Sequence, residues 1–129
     1  MKHAVLGFLV AVGAQPANLW AHHSFASEFD ANKPLSLRGT VTQVEFINPH
    51  SWIHIEVTND DGTKTAWEVE GGTPNTLFRK GINDSTLPVG TLIAVDGYKA
   101  RDGSNRMSGR DITFADGRKV FLSGSAPPQ

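Results

Sequence analysis

No cysteine occurs anywhere in the 129 residues. That excludes disulfide staples, thiolate nucleophiles and cysteine-ligated zinc, and leaves the fold to its own packing. No sign of charge dominates either: 12 Lys+Arg stand against 13 Asp+Glu, a formal net charge of −1, so nothing draws the chain as a whole to nucleic acid or acidic lipid. There is no G-x-S-x-G, P-loop, H-E-x-x-H or C-x-x-C pattern, which leaves nucleophilic, nucleotide and standard zinc chemistry without support. No internal repeat is present. The longest apolar run, Ala4 to Ala14, is about half of the roughly 20 residues that a membrane-spanning helix needs.

What is present begins with the anatomy of an export signal. Lys2 supplies a basic start, Ala4 to Ala14 an apolar stretch, and Gln15 to Asn18 a polar stretch before the small residue Ala21. Ala14, Ala17 and Ala21 are each small enough to precede a cut. A cut after Ala21 gives a mature chain of about 108 residues from His22, a length at which a single core is self-sufficient. Losing Lys2 leaves 11 basic against 13 acidic residues, a formal charge of −2. The expectation is a signal peptide over 1–21 and a periplasmic mature protein.

"HHSFASEFDANKP" has neither a 2.0 nor a 3.6 periodicity and reads as an extended arm over 22–34. "LSLRGTVTQVEF" puts Leu35, Leu37 and Val41 on one parity and Val44 and Phe46 on the other, which predicts a long strand with a bulge between Gly39 and Gln43. After "INPH", "SWIHIEVT" alternates: Ile53, Ile55 and Val57 share one face, His50, Trp52, His54 and Glu56 the other. "DDG" then forms a three-residue hairpin loop whose Gly62 takes the left-handed conformation. Only this loop length sets Ile55 against Trp67 and Ile53 against Val69; a two-residue loop would set Ile55 against Glu68. The outward pairs are then Trp52 with Glu70 and His54 with Glu68.

"GGTPNTLFRKG" predicts a two-turn helix with Thr73 as N-cap, Pro74 at its first position and Gly81 as its stop. "LPVGTLIAVDGY" feeds a fourth strand. "RDITFADGRKVFLS" is a fifth, with a hairpin at Asp116-Gly117. This order predicts an all-β domain with one short helix, a five-stranded OB-type Greek-key barrel over 35–123, with a disordered tail over 124–129. Another small antiparallel sandwich or half-barrel would use the same strands.

Four runs, "AHHSFASEFDANKP", "GTVTQVEFINPHSWIHIEV", "WEVEGGTPNTLFRKG" and "GYKARDGSNR", cover most of the chain after the leader. With them the sequence resembles the small exported bacterial protein family catalogued as domain of unknown function 6152. The resemblance implies export and a compact β fold, and carries over no catalytic residue.

Two functional readings follow from the residues themselves. A chain starting at His22 offers an α-amine beside an imidazole, and His23 or His50 would complete a three-nitrogen set suited to Cu(II), as in the histidine brace of some exported copper proteins. Against this stands a free arm whose histidines merely follow the leader. His50 and His54 lie roughly 13 Å apart along one strand, too far for one ion. The second reading starts from Trp52, an outward tryptophan that a loop, a partner or a ligand has to cover. It makes the face of His50, Trp52, His54, Glu68 and Glu70, flanked by Arg101 and Arg106, an OB-type recognition surface for a peptide, protein or saccharide. Its plain counterpart has Phe25 or Phe29 of the arm covering Trp52. Glu68 and Glu70 lie roughly 7 Å apart, near an inverting glycosidase spacing, but they project from one strand instead of facing each other across a cleft. The expectation is a non-enzymatic periplasmic binding domain, with copper as the one cofactor and an unidentified periplasmic protein or small ligand as partner.

Overall fold

The computed structural model describes residues 25–122 and 124. The expected signal peptide, His22, His23 and residues 125–129 of the expected tail lie outside them. After a single helical turn over 25–28, six strands and one longer helix follow in the order β1 (Phe29–Glu45), β2 (Trp52–Thr58), β3 (Lys64–Glu70), α1 (Pro74–Arg79), β4 (Leu92–Ala100), β5 (Arg106–Phe114) and β6 (Lys119–Phe121).

β1 is long because it serves two neighbours. Its first half pairs with β4, from Phe29 opposite Ala100 to Thr40 opposite Leu92, and its second half pairs with β2. Between Val41 (opposite Ile55) and Gln43 (opposite His54) the register slips by one residue, so Thr42 is the extra residue of a β-bulge. That slip reconciles the two parities of the sequence: Val41 is inward before it and Val44, opposite Ile53, after it. The β2–β3 hairpin has the register that the three-residue loop dictates, with Ile55 opposite Trp67, Ile53 opposite Val69 and His54 opposite Glu68. Gly62 sits at φ +84° and the Asn59 N–H donates to the Thr63 carbonyl at 2.8 Å. Asp61 completes the turn by accepting from the Thr63 hydroxyl and N–H, and these two bonds hold its carboxyl below the ordinary value of 3.8.

α1 has the expected caps: Thr73 Oγ1 accepts from the Thr76 N–H, Pro74 opens the helix, and Gly81 follows its end at φ +80°. The helix buries Leu77, which joins Ile82 and Leu87 against the core residues Val41, Ile53, Ile55, Val69, Ile93, Val95, Met107 and Ile112. β3 and β5 then pair in parallel, Glu68 with Arg106 and Glu70 with Ser108, and this closes the ring β3-β2-β1-β4-β5. A closed five-stranded ring with its helix between the third and fourth strands is the OB-type barrel expected from the strand order. β6 is a short addition on the β5 edge, formed by the expected hairpin at Asp116 and Gly117 (φ +87°).

Two boundaries differ from the sequence reading. Residues 25–28 are helical and 29–34 belong to β1, so the described part of the supposed arm is built into the domain. Phe25 and Phe29 pack on Tyr98 and Ala100, and it is this apolar cluster, invisible as a period, that fixes the segment. β5 starts at Arg106, four residues before the expected start. Its first turns around Gly109 carry one large inward residue, Met107, so no alternation announces them. Trp67 faces inward but is only half-buried.

Gly97 and Gly109 are what let β4, β5 and β3 approach. A Cβ on Gly97 would lie 2.1 Å from the Ser108 carbonyl oxygen and 2.8 Å from Met107 Cε. Gly97→Ala is expected to push β4 from β5 and lose about 3 kcal/mol, the top of the usual range for overpacking, in urea melts. Asp61→Ala should remove a pH-dependent contribution. Because the folded carboxyl titrates below its unfolded value, its stabilisation is present above about pH 4 and is lost as pH falls through the depressed folded value. The stability gap between wild type and Asp61→Ala should therefore narrow in acid, and a constant gap between pH 6 and pH 2.5 would contradict this account of the turn.

Candidate functional site

The outward parity of β2 and β3 and the start of β5 place four of the expected site residues in one group. Trp52 and His54 come from β2, Glu68 from β3 and Arg106 from β5. The Arg106 guanidinium carbon lies 4.7 Å from the centre of the Trp52 ring, a cation–π stack, and Arg106 Nε lies 3.2 Å from Glu68 Oε2. Glu68 Oε1 is 4.0 Å from His54 Nδ1. On its other side, the His54 Nε2–H donates to Glu45 Oε2 at 2.7 Å. The result is a line of alternating acceptors and donors, Glu45, His54, Glu68, Arg106, ending on an aromatic face. Each link is held by a different strand, so the barrel geometry and not a loop sets the spacing.

Glu45 was absent from the expected set, although the bulge could have revealed it. Once Thr42 is counted as the extra residue, Gln43 and Glu45 turn outward beside His54 and Trp52. Of this group His54, Glu68 and Arg106 line a groove of about 440 Å³, together with Thr42, Gln43, Ala66, Trp67, Ser104 and Asn105. Its far wall is the loop between β4 and β5, where Ser104 is fixed by two bonds to Asp102. These bonds also hold the Asp102 carboxyl below its ordinary value.

His50 and Glu70 form a second group beside the first. Glu70 is only 2% exposed, not on a solvated face as expected from parity, and its Oε1 lies 3.8 Å from His50 Nδ1. The reason is the chain that returns after β6. Leu122 accepts from the Gly72 N–H, and Gly124 lies so close that a Cβ on it would meet the Glu70 carbonyl at 3.2 Å. Glu68 and Glu70 therefore face different partners and do not assemble as a pair of acids around one bond. Arg101 shares a cleft with Arg106 but bonds to neither group. Its Nε donates to the Ala26 carbonyl and its backbone N–H to Glu28, so it fastens the N-terminal segment. Phe25 and Phe29, held there, do not cover Trp52; Arg106 does. Among the described residues no group of three or more His, Asp or Glu is placed to hold a metal ion.

No curated protein matches the chain significantly. Among solved structures it is similar to the N-terminal domain of PriB protein from Thermoanaerobacter tencongensis, a dimeric structure. The identity is 26%, the match covers 65% of this chain and 97% of that one, and the TM-score is 0.44. The family model described as "Family of unknown function (DUF6152)" matches residues 9–109, and the chain belongs to that family.

Proposed function

We propose that the protein is an exported, non-catalytic recognition domain that binds its ligand in the groove across the outer face of β1, β2 and β3. The observation that carries this reading is the state of Arg106. Its guanidinium is stacked on Trp52 and set against Glu68 before any ligand arrives, so a planar cation with fixed direction stands at the groove rim. Preorganisation of this kind spares the ordering cost of a long side chain on binding. Stacking and Glu68 engage the guanidinium plane and Nε of Arg106 and leave its terminal nitrogens to a ligand, which suits single carboxylates or carbonyls of a polar ligand better than a run of phosphates. The groove volume fits a short segment of chain or a small ligand.

A panel of short peptides and neutral oligosaccharides, followed by amide chemical shifts and tryptophan fluorescence, tests the reading. A true ligand should shift the signals of His54, Ala66 and Arg106, and Arg106→Ala should weaken it about tenfold, as expected for loss of a charge-assisted bond. Ligands that shift only residues outside the groove would overturn the assignment.

A second reading adds Cu(II), bound by the amine and imidazole of a mature His22 with His23 or His50. It is supported by the anchoring of the chain just after these histidines. Arg101 fixes Ala26 and Glu28, and the cleft between them and the barrel is shared with Arg106, one strand from Trp52. His50 Nδ1 is buried and makes no hydrogen bond to the described residues, Glu70 Oε1 standing beyond hydrogen-bond distance at 3.8 Å. An amine with imidazoles favours copper over zinc, which prefers a tetrahedral cage. Intact mass of the exported protein should show a chain starting at His22, and that protein should take up Cu(II) in preference to Zn(II). A version with an extra Met before His22 should fold equally and lose most of the affinity; equal binding by both would eliminate the copper reading.

A further inference from the structure

The closure of the barrel is incomplete along β3. In the β2–β3 hairpin the closing pair is Asn59 with Thr63, so the residues that exchange hydrogen bonds with β2 are Thr65, Trp67 and Val69. The backbone groups of Lys64, Ala66, Glu68 and Glu70 point the other way. Glu68 confirms the alternation, since its N–H donates across to the Asn105 carbonyl at 3.0 Å. Pairing with β5 covers only Glu68, Val69 and Glu70, and the chain before Asn105 turns away into the β4–β5 loop. Among the described residues, the N–H and C=O groups of Lys64 and Ala66 therefore have no strand opposite them. Both residues are exposed, and Ala66 lines the groove described above.

We infer that this open edge of β3 captures an extended, acidic segment of a partner polypeptide by strand addition. The inference rests on the groove reading and names its ligand class. An incoming strand would continue the track that β5 leaves at Asn105 and complete the bonds of Ala66 and Lys64. Side chains of such a strand alternate. The one on the outward side of Ala66 enters the groove beside Arg106, whose terminal nitrogens make no hydrogen bond to the described residues. The next turns inward onto the half-buried ring of Trp67. Both ends of the open edge are basic, Lys64 at one and Arg106 at the other, and this charge complementarity selects acidic residues alternating with apolar ones. Among the described residues Lys64 is held only by an exposed bond to Glu56 at 2.9 Å, which an incoming carboxylate can replace.

The probe is a synthetic hexapeptide alternating valine and glutamate, titrated into the folded domain and read by amide shifts and hydrogen exchange. The expected result is slowed exchange at Lys64 and Ala66 with shifts at Arg106. The same peptide N-methylated on alternate residues should bind about tenfold more weakly or not at all, since its own donors are gone. Ala66→Pro should have the same effect while leaving the hairpin intact, because the Ala66 N–H takes no part in pairing with β2 and edge strands tolerate proline there. Serine in place of the glutamate that lies beside Arg106, with the others kept for Lys64, should weaken wild type and leave Arg106→Ala unchanged. Unaltered exchange at Lys64 and Ala66 with peptide in excess, or equal binding of the N-methylated peptide, would overturn strand addition. The groove reading would survive that outcome if another ligand still shifts His54 and Arg106, and would fall separately if none does.

Discussion

The parallel contact of three residues of β3 with three of β5 is the constraint on which the rest of the molecule depends. Glu68, Val69 and Glu70 lie beside Arg106, Met107 and Ser108, and without this contact the sheet would be an open meander with Met107 and Val69 exposed. The same contact brings Arg106 to Trp52 and Glu68, residues that precede it by more than thirty positions. It ends at Glu68 because the β4–β5 loop turns away, and so it also leaves Lys64 and Ala66 open. Core, polar outer face and, among the described residues, an open edge are three consequences of one short pairing.

What stabilises the domain and what positions its surface groups are different interactions. Twelve residues of the main core are almost fully buried, and burying a Val, Leu or Ile side chain is worth about 1.5–3 kcal/mol each. The line from Glu45 to Arg106 is half-exposed, and ion pairs of that kind contribute about 0–1 kcal/mol. Its role is directional. His54 is held from two sides by carboxylates of β1 and β3, and Arg106 from two sides by an aromatic face and a carboxylate, so neither ring nor fork is free to turn.

Local patterns were legible where one face of a strand is buried and the turn chemistry is short-range. The DDG loop sets the β2–β3 register through Gly62, and Thr73, Pro74 and Gly81 bound the helix without reference to anything distant. The bulge could be placed near Thr42 because the apolar parity of β1 changes there. Contacts between distant segments were not legible. Nothing in "RDGSNRMSG" announces that Arg106 opens a strand, since Gly109 and Ser108 are small to admit Gly97 and the returning chain end, and smallness looks like a loop. Glu70 has the same parity as Glu68 and the same side chain, yet it is buried because Leu122 and Gly124 pass over that end of the strand. Phe25 and Phe29 find Tyr98 and Ala100 across the sheet, a contact that composition cannot express.

Trp52 shows how an outward aromatic can be settled without leaving the surface. An indole on the solvated side of a strand is costly to hydrate and invites association. Covering it with an apolar segment of the arm would have sealed the face permanently. A guanidinium covers it instead, and the cation keeps its terminal nitrogens in water while its plane shields the ring. The ring is thereby protected from indiscriminate contact, and the cover itself carries donors that an acidic group can use. Because Arg106 is also the first residue of the closing strand, anything bound there sits against the seam of the barrel, where an unpaired backbone edge begins. The charged side chain and the open backbone edge on which the proposed recognition rests thus lie within a few residues of one another, on elements whose positions the core has already fixed.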